Sequence, residues 1–282
     1  MRMELSDGGF IEANKINIGD NVVFGKNVQI KVRGTFSIGS DSYVGDRFTA
    51  NGENIEIGDF FFNIPTDNGG MIIGGGSSNF PYANLKIGHR MVCHTGQINL
   101  ARPVTIGDDV GLSHDVGIIT HGFWASALDG YPYTFAEVNI GNNVIVGWRS
   151  AIMSGVTITN NVVIGAQSTV VKSLEIERAV YAGTPAKFIR GITEPTTQTK
   201  VELLNKICNE FIELMKYYEE PIIHLDNSHP IVILNGLTLN TETLECHGTH
   251  DIVTDAFRDF MRRYGMRFFV KGRKFGFNLT RK

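Results

Sequence analysis

The residues best suited to chemistry lie in one segment, residues 120–137, which reads THGFWASALDGYPYTFAE. It places His121 among aromatic and acidic side chains. An imidazole titrates near neutral pH and can take a proton from a weak nucleophile such as a hydroxyl. His121 is therefore the first candidate for a general base, although an exposed loop histidine without a role fits the same pattern. His114, in GLSHDV, is the second candidate, and a structural role suits it equally well.

Two other groups of residues are weaker indications of a site. His89, Cys93 and His94 lie together in IGHRMVCHTG. A zinc site there would need a fourth ligand and supporting side chains, so we expect no metal. The glycines at 74–76 could suggest a phosphate loop, but no Lys-Ser/Thr pair and no clear helix pattern follow them.

A six-residue repeat from about Ile16 to Ile176 would position these side chains. An aliphatic residue takes its first position and glycine often the second. The longest tract is Ile140, Val146, Ile152, Ile158, Ile164, Val170 and Ile176, and shorter ones are Ile18, Phe24, Ile30, then Ile38, Val44, Ala50, then Ile106, Leu112, Ile118. Neither a helix nor a simple alternating strand has this period. It predicts a triangular parallel β-helix, whose coils bury their apolar sides only against neighbouring coils.

The repeat is interrupted twice, over Phe60–Leu85 and over Thr120–Glu137. Functional loops tend to interrupt a rigid scaffold in this way. The second interruption is the richer in chemistry, and His121 stands where the coil gives way to it. The sequence therefore predicts that His121 lies at the edge of a coil.

The stretch from PVTIGDDVGLSHDVGIITHGFW to GAQSTVVK and GTPAKFIRG resembles the hexapeptide-repeat acetyltransferases, most closely the sugar and polysaccharide O-acetyltransferases. The resemblance covers roughly residues 10–195, and its C-terminal motifs are the most specific part. It implies a left-handed β-helix, a homotrimer with active sites between adjacent subunits, and acetyl-CoA as donor. Ile145 stands where the family usually has tryptophan, and Thr159 where glycine is common.

The resemblance also implies roles for residues. His121 matches the family's catalytic histidine, with Asp129 or Glu137 as candidates to orient it. Trp148 would wall the site beside the thioester, or else pack at a subunit interface. Coenzyme A would be bound by Gly147, Gly165, Ala166, Lys172, Pro185, Lys187 and Arg190. The three cations in this set could instead form a solvent-exposed basic edge without a binding role. The acceptor would be bound by Trp124, Asp129, Tyr131, Tyr133 and His94, although the aromatic residues could equally hold the loop in place.

The pattern stops after Arg190, which divides the chain into a β-helix domain, residues 1–192, and residues 193–282. The latter begin with a polar linker, TEPTTQTK, and we expect a small α+β module of unknown role. Apolar spacing predicts helices over 201–215 and 253–264 and strands over 231–234, 237–246, 266–270 and 274–279, with a hairpin turn at Asn235-Gly236. The basic C-terminal tail could contact an anionic glycan or a membrane surface, but a solvated face is the simpler explanation.

Composition excludes other classes of protein. The 282 residues carry a net charge of −3, so no general field attracts nucleic acid. No apolar run approaches the ~20 residues of a membrane helix, and the N-terminus is not of signal-peptide type. The three cysteines show no CxxC spacing, which indicates reduced thiols in a cytoplasmic protein.

The sequence thus predicts an acetyl-CoA-dependent O-acetyltransferase acting on a sugar hydroxyl of a surface polysaccharide or its precursor. Three alternatives stay open at this point. One is N-acetylation of an amino sugar nucleotide or a small molecule. Another is a non-catalytic trimeric scaffold. The third is a zinc enzyme of the carbonic anhydrase type, which would need histidines spaced across a subunit boundary.

Overall fold

The computed structural model describes residues 1–66, 69–75, 81–222, 224–273 and 279. The chain forms two compact units, Met1–Thr193 and Glu194–Lys282. Within the described part of the chain, none of the helices combines the length and the apolar character that a bilayer crossing requires.

The first unit is a parallel β-helix whose coils pass in turn through three sheets, called here the first, second and third faces. The first face contains β1 (Arg2–Glu4), β2 (Phe10–Glu12), β5 (Gln29–Val32), β8 (Thr49–Gly52), β11 (Met71–Ile73), β14 (Gly96–Ile98), β17 (Val116–Ile118), β22 (Ala151–Ile152) and β25 (Thr169–Val170). The second contains β3 (Lys15–Ile18), β6 (Thr35–Ile38), β9 (Asn54–Ile57), β12 (Asn84–Ile87), β15 (Val104–Ile106), β20 (Val138–Ile140) and β23 (Thr157–Ile158).

The third face contains β4 (Val23–Phe24), β7 (Tyr43–Val44), β10 (Phe62–Asn63), β13 (Val92–Cys93), β16 (Gly111–Leu112), β21 (Ile145–Val146), β24 (Val162–Ile164), β26 (Ala179–Ala182) and β27 (Lys187–Gly191). Strands of successive coils pair in parallel, as β15 does with β20, while β27 folds back antiparallel on β26. The connections are called corner 1–2, corner 2–3 and corner 3–1 after the faces that they join.

The core is a stack of inward-pointing aliphatic side chains, as the repeat predicts. Every first position from Ile140 to Val170 is at most 3% exposed. The prediction fails in the first coil at Ile18, which is 37% exposed, and at Ile176, which is 53% exposed. Leu174 is buried instead and bridges to Ile158 of the coil before. The six-residue spacing therefore ends at Val170, where the last coil begins to close.

A ladder of hydrogen bonds lines corner 2–3. At each level a side chain accepts the backbone N–H of the equivalent residue one coil earlier. The pairs run Asp20 N–H to Ser40, Ser40 N–H to Asp59, Asp59 N–H to His89, His89 N–H to Asp108, Asp108 N–H to Asn142 and Asn142 N–H to Asn160, at 2.8–3.0 Å. Because its Nδ1 accepts such a bond, His89 is a structural member of this ladder.

The two longest connections between faces lie at corner 1–2, after β11 and after β17. The last of them forms an antiparallel hairpin of β18 (His121–Gly122) and β19 (Thr134–Phe135), with a 3₁₀ turn at Ala127–Asp129. The predicted interruption at 120–137 is thus an arm that leaves the solenoid at one edge.

The second unit contains α1 (Thr197–Tyr218), then β28 (Leu225–Ser228), β29 (Ile231–Leu234), β30 (Leu237–Asn240) and β31 (Cys246–Gly248) in one antiparallel sheet, then α2 (Ile252–Arg262). The Asn235-Gly236 turn joins β29 to β30, and both residues have positive φ. Helix α1 begins inside the predicted linker, since the Thr196 hydroxyl caps it by accepting the N–H of Thr199.

The strand predicted over 266–270 is absent from the described residues, where only Val270 makes an isolated bridge. The reason is the fully buried Arg258, whose Nε and Nη2 donate to the carbonyl of Phe268 at 3.1 and 2.9 Å. A side chain thus takes the place of a neighbouring strand. The strand predicted over 274–279 lies outside the described residues, except for Leu279. Gly76 of the glycine run and Lys274, Arg281 and Lys282 of the basic tail also lie outside them.

Candidate functional site

His121 lies at corner 1–2, at the start of the arm, and its ring is held by Asn99 of the coil before. Its Nδ1 is 2.8 Å from Asn99 Oδ1. The same Oδ1 accepts the N–H of Ala101 at 3.2 Å and the hydroxyl of Thr120 at 2.6 Å. Because a backbone N–H can only donate, these contacts fix which end of the amide is oxygen.

The tautomer of His121 follows from that assignment. An amide oxygen only accepts, so Nδ1 must carry the proton in this hydrogen bond. In the neutral ring, Nε2 then has a free lone pair and can accept a proton. Asn99 does what the sequence assigned to Asp129 or Glu137. The carboxylate of Glu137 instead accepts from the side chain of Asn139 at 3.2 Å.

Aromatic rings surround the imidazole. The ring centroids of Phe123 and Phe135 lie 5.5 and 6.0 Å from that of His121, and the two phenyl rings stack on each other at 5.4 Å. The β18–β19 pairing sets this arrangement, since His121 is directly opposite Phe135. Sequence analysis missed both phenylalanines. Phe123 and Phe135 flank the loop, in HGF and YTF. Their contact with His121 can be recognised only once the hairpin is known.

Ser154 of the next coil anchors the arm. Its hydroxyl donates to the carbonyl of Thr120 at 3.1 Å and accepts the N–H of Ala136 at 3.0 Å. Thr134 Oγ1 lies 3.1 Å from the same hydroxyl. Both strands of the arm are therefore tied to the solenoid directly beneath His121.

The predicted acceptor residues of the arm lie beyond this anchored base. Trp124 is 97% exposed, and Tyr131 and Tyr133 are more than half exposed. Asp129 lies in the 3₁₀ turn and is exposed as well. A single chain thus presents these four side chains to solvent.

His94, the fifth predicted acceptor residue, lies at corner 3–1, across the first face from His121. Its ring stacks on that of His114, with centroids 3.9 Å apart. Its Nδ1 is buried and has no hydrogen-bond partner among the described residues. Burial lowers the pKa of His94, and the neighbouring His114 lowers it further. The surroundings of His94 therefore favour its neutral form.

Three of the predicted donor residues, Gly147, Gly165 and Ala166, lie at corner 3–1 as well. Trp148 is half exposed there, and its carbonyl accepts the N–H of Gln167, next to Gly165 and Ala166. Gly147 has a packing role of its own, because a Cβ at this position would stand 2.5 Å from the nitrogen of Ala166.

The predicted cations lie elsewhere. Lys172 is exposed at corner 1–2, one coil past Ser154. Lys187 and Arg190 are exposed on β27, at the edge of the third face, and Pro185 precedes that strand. Within one chain, His121 and Trp148 thus stand at opposite edges of the first face.

Comparisons with known proteins give structures alone, since no family model and no curated protein matches the chain. A maltose O-acetyltransferase from Clostridium difficile 630 is 27% identical over 48% of this chain and 69% of that chain, with a TM-score of 0.40. The polySia specific acetyltransferase NeuO is 22% identical over 73% and 98%, with a TM-score of 0.49. The hexapeptide-repeat containing acetyltransferase VCA0836 from Vibrio cholerae O1 biovar eltor, complexed with acetyl coenzyme A, is 21% identical over 44% and 66%, with a TM-score of 0.38.

All three are acetyltransferases, which is the class that the sequence resembles. Their TM-scores lie below 0.5, so the roles of residues in this chain depend on its own geometry. Among the residues that the structure describes, no three His, Cys, Asp or Glu side chains are grouped to hold a metal ion.

Proposed function

We propose that this protein is an acetyl-CoA-dependent O-acetyltransferase that acts on a sugar hydroxyl of a surface polysaccharide or its precursor. The observation that carries the proposal is the tautomer of His121. Asn99 holds the proton on Nδ1, so Nε2 is presented as a base at the edge of the solenoid. The GTPAKFIRG ending, through which the sequence resembles acetyltransferases, supports acetyl-CoA as the donor.

In the proposed reaction, Nε2 of His121 takes the hydroxyl proton as the sugar oxygen attacks the thioester carbonyl. The new C–O bond forms a tetrahedral oxyanion, which backbone N–H groups of the coils can stabilise. The C–S bond then breaks, and the imidazolium returns its proton to the leaving thiolate of coenzyme A. Acetyl ester and free coenzyme A are the products.

Direct transfer fits the chemistry of the cysteines. Burial raises the pKa of Cys93 to about 12 and that of Cys208 to about 11. Cys246 is partly buried, and burial raises its pKa too. A thiol must ionise to act as a nucleophile, so none of the three is suited to carry an acyl group.

We further propose that the active unit is a homotrimer of left-handed β-helices, with each site shared by two subunits. His121 of one subunit would then face Trp148, Gly165 and Ala166 of the next. The outward side of the third face supports self-association, because Val23, Phe62 and Ile145 are exposed there in one column. The corresponding columns of the second face carry polar residues such as Glu56 and Lys86.

The residues present fit coenzyme A. Gly165 and Ala166 allow an extended pantetheine arm to approach the backbone at corner 3–1. The exposed cations Lys172, Lys187 and Arg190 offer charge for the nucleotide phosphates, and Pro185 a surface for adenine. These assignments come from the sequence motif and are part of the proposal.

Replacing His121 with alanine tests the function. Loss of a general base costs about 10²- to 10⁴-fold in rate, so we expect kcat/KM to fall by that range with coenzyme A affinity unchanged. The assay measures coenzyme A release with a panel of hydroxyl and amino sugars, with mass spectrometry of the product. His247→Ala is the control, since His247 is an exposed histidine of the second unit. A His121→Ala protein that keeps most of its kcat/KM would disprove the mechanism.

A further inference from the structure

Arg102 is a charged residue linked directly to the His121 site. Its backbone N–H donates to Thr120 Oγ1 at 3.1 Å, and Thr120 immediately precedes His121. Ala101, its neighbour, donates to the same Asn99 oxygen that holds the imidazole. The loop that carries Arg102 and the residues that orient His121 therefore form one hydrogen-bonded unit.

Aromatic rings hold the guanidinium beside the site. Its central carbon lies 5.2 Å from the centroid of Phe135 and 5.0 Å from that of Tyr82. Phe135 is also the ring that stacks on His121 at 6.0 Å. Imidazole, phenyl ring and guanidinium are thus neighbours along one corner, and base and cation both lie within 6.0 Å of the same ring.

This setting suits a planar cation that binds an anion. A guanidinium keeps its N–H donors in its own plane, and their fork matches a carboxylate or a phosphate. Arg102 Nη1 already donates to the carbonyl of Ala101 at 3.0 Å, which steadies its orientation.

We infer that Arg102 selects acceptors that carry a negative charge close to the acetylated hydroxyl. The substrate class is an anionic glycan, whose carboxylate or phosphate contacts Arg102 while the hydroxyl faces Nε2 of His121. The inference depends on the proposed acetyl transfer and adds the charge of its acceptor. Phe135, between the two groups, would offer an apolar surface to the sugar ring.

Matched acceptor pairs test this inference. Each pair consists of an acidic sugar oligomer and its carboxyl-reduced form, in which a neutral CH₂OH replaces the carboxylate. A third arm uses the corresponding sugar phosphates, which separates carboxylate from phosphate recognition. The readout is the ratio of kcat/KM between the anionic and the neutral member, measured with acetyl-CoA on the full chain.

For the wild type we expect the anionic member to be preferred by about 10- to 100-fold, as charge-assisted hydrogen bonds imply. Arg102→Gln should bring this ratio to about 1, chiefly through KM, and Arg102→Lys should keep part of it. Arg33→Gln is the control, because Arg33 also follows a strand of the first face but pairs with Glu53 at 2.8 Å. Its ratio should equal that of the wild type.

A wild-type ratio near 1 in every pair would overturn the inference. So would an Arg102→Gln protein that loses activity on both members equally, since that result indicates a structural role. Failure of the proposed function looks different. In that case coenzyme A release stays at the background rate with every acceptor, and calorimetry detects no binding of coenzyme A.

Discussion

Asn99 is the residue on which the orientation of His121 depends, and its replacement by alanine has effects that the structure separates. Its side-chain oxygen accepts three donors. Thr120 can turn its hydroxyl to the carbonyl of Asn99, 3.2 Å away, but the buried N–H of Ala101 loses its side-chain partner. A buried donor left unsatisfied costs about 1–3 kcal/mol, so we expect stability to fall by that amount.

The effect on transfer comes from the tautomer. The hydrogen bond from Nδ1 contributes about 0.5–1.5 kcal/mol in net terms, which corresponds to a ~2- to 10-fold preference for the productive form of the ring. We expect Asn99→Ala to lower kcat by a factor in this range. That is a smaller loss than the one predicted for His121→Ala, because the base itself is still present.

The assays are coenzyme A release under saturating substrates and the unfolding midpoint in urea. Asn63→Ala is the matched control. Asn63 is a fully buried asparagine of the same solenoid, whose amide contacts Gly45 and His94 at corner 3–1. It should lose comparable stability and keep its kcat. Equal losses of kcat in the two variants, or an unchanged kcat in Asn99→Ala, would refute the role of Asn99 as the residue that fixes the tautomer.

Two further outcomes follow from packing and burial. Gly147→Ala should lower the free energy of unfolding by about 1–3 kcal/mol, and with it the unfolding midpoint, because the added Cβ meets the backbone of Ala166. Gly111→Ala is the control and should leave the midpoint unchanged, because no atom lies within 4 Å of its Cβ. The pKa of His94 is lowered in the folded state, so the unfolded chain binds a proton at this histidine at a higher pH than the folded chain does. The free energy of unfolding should therefore decrease as pH falls below about 6.5. His94→Phe should show a smaller loss of urea midpoint between about pH 7.5 and about pH 5 than the wild type. An equal loss in both proteins would show that His94 is not the group responsible.

The sequence predicts the solenoid well because one physical requirement repeats at every coil. A residue such as Ile152 must stack on its equivalents above and below, and only an aliphatic side chain fits. The prediction fails at Ile176, since the closing coil no longer has neighbours on both sides. The strand prediction over Met266 to Val270 fails for another reason. The segment is hydrogen-bonded by the buried side chain of Arg258, and no sequence pattern indicates that contact.

The site could be predicted only in part for a similar reason. His121 stands out because the repeat breaks beside it. Asn99 lies 22 positions earlier, and its contact with His121 joins coils of unequal length. Spacing carries no information about such a contact. Phe135 and Arg102 escape notice in the same way, because the hairpin and the loop before it bring them together.

The ladder at corner 2–3 has a consequence for how such a protein can be remodelled. Four residues separate the second from the third face in each of the first six coils, from β3–β4 to β20–β21. An insertion there would remove an acceptor from one level and a donor from the next. At corner 1–2 the connections differ widely in length, from the single residue after β8 to residues 119–137 after β17. Under the proposed function, a loop grafted at 124–133 from another solenoid should therefore change acceptor preference while His121, Phe123 and Phe135 stay in place, which makes this corner the natural place to engineer new specificities.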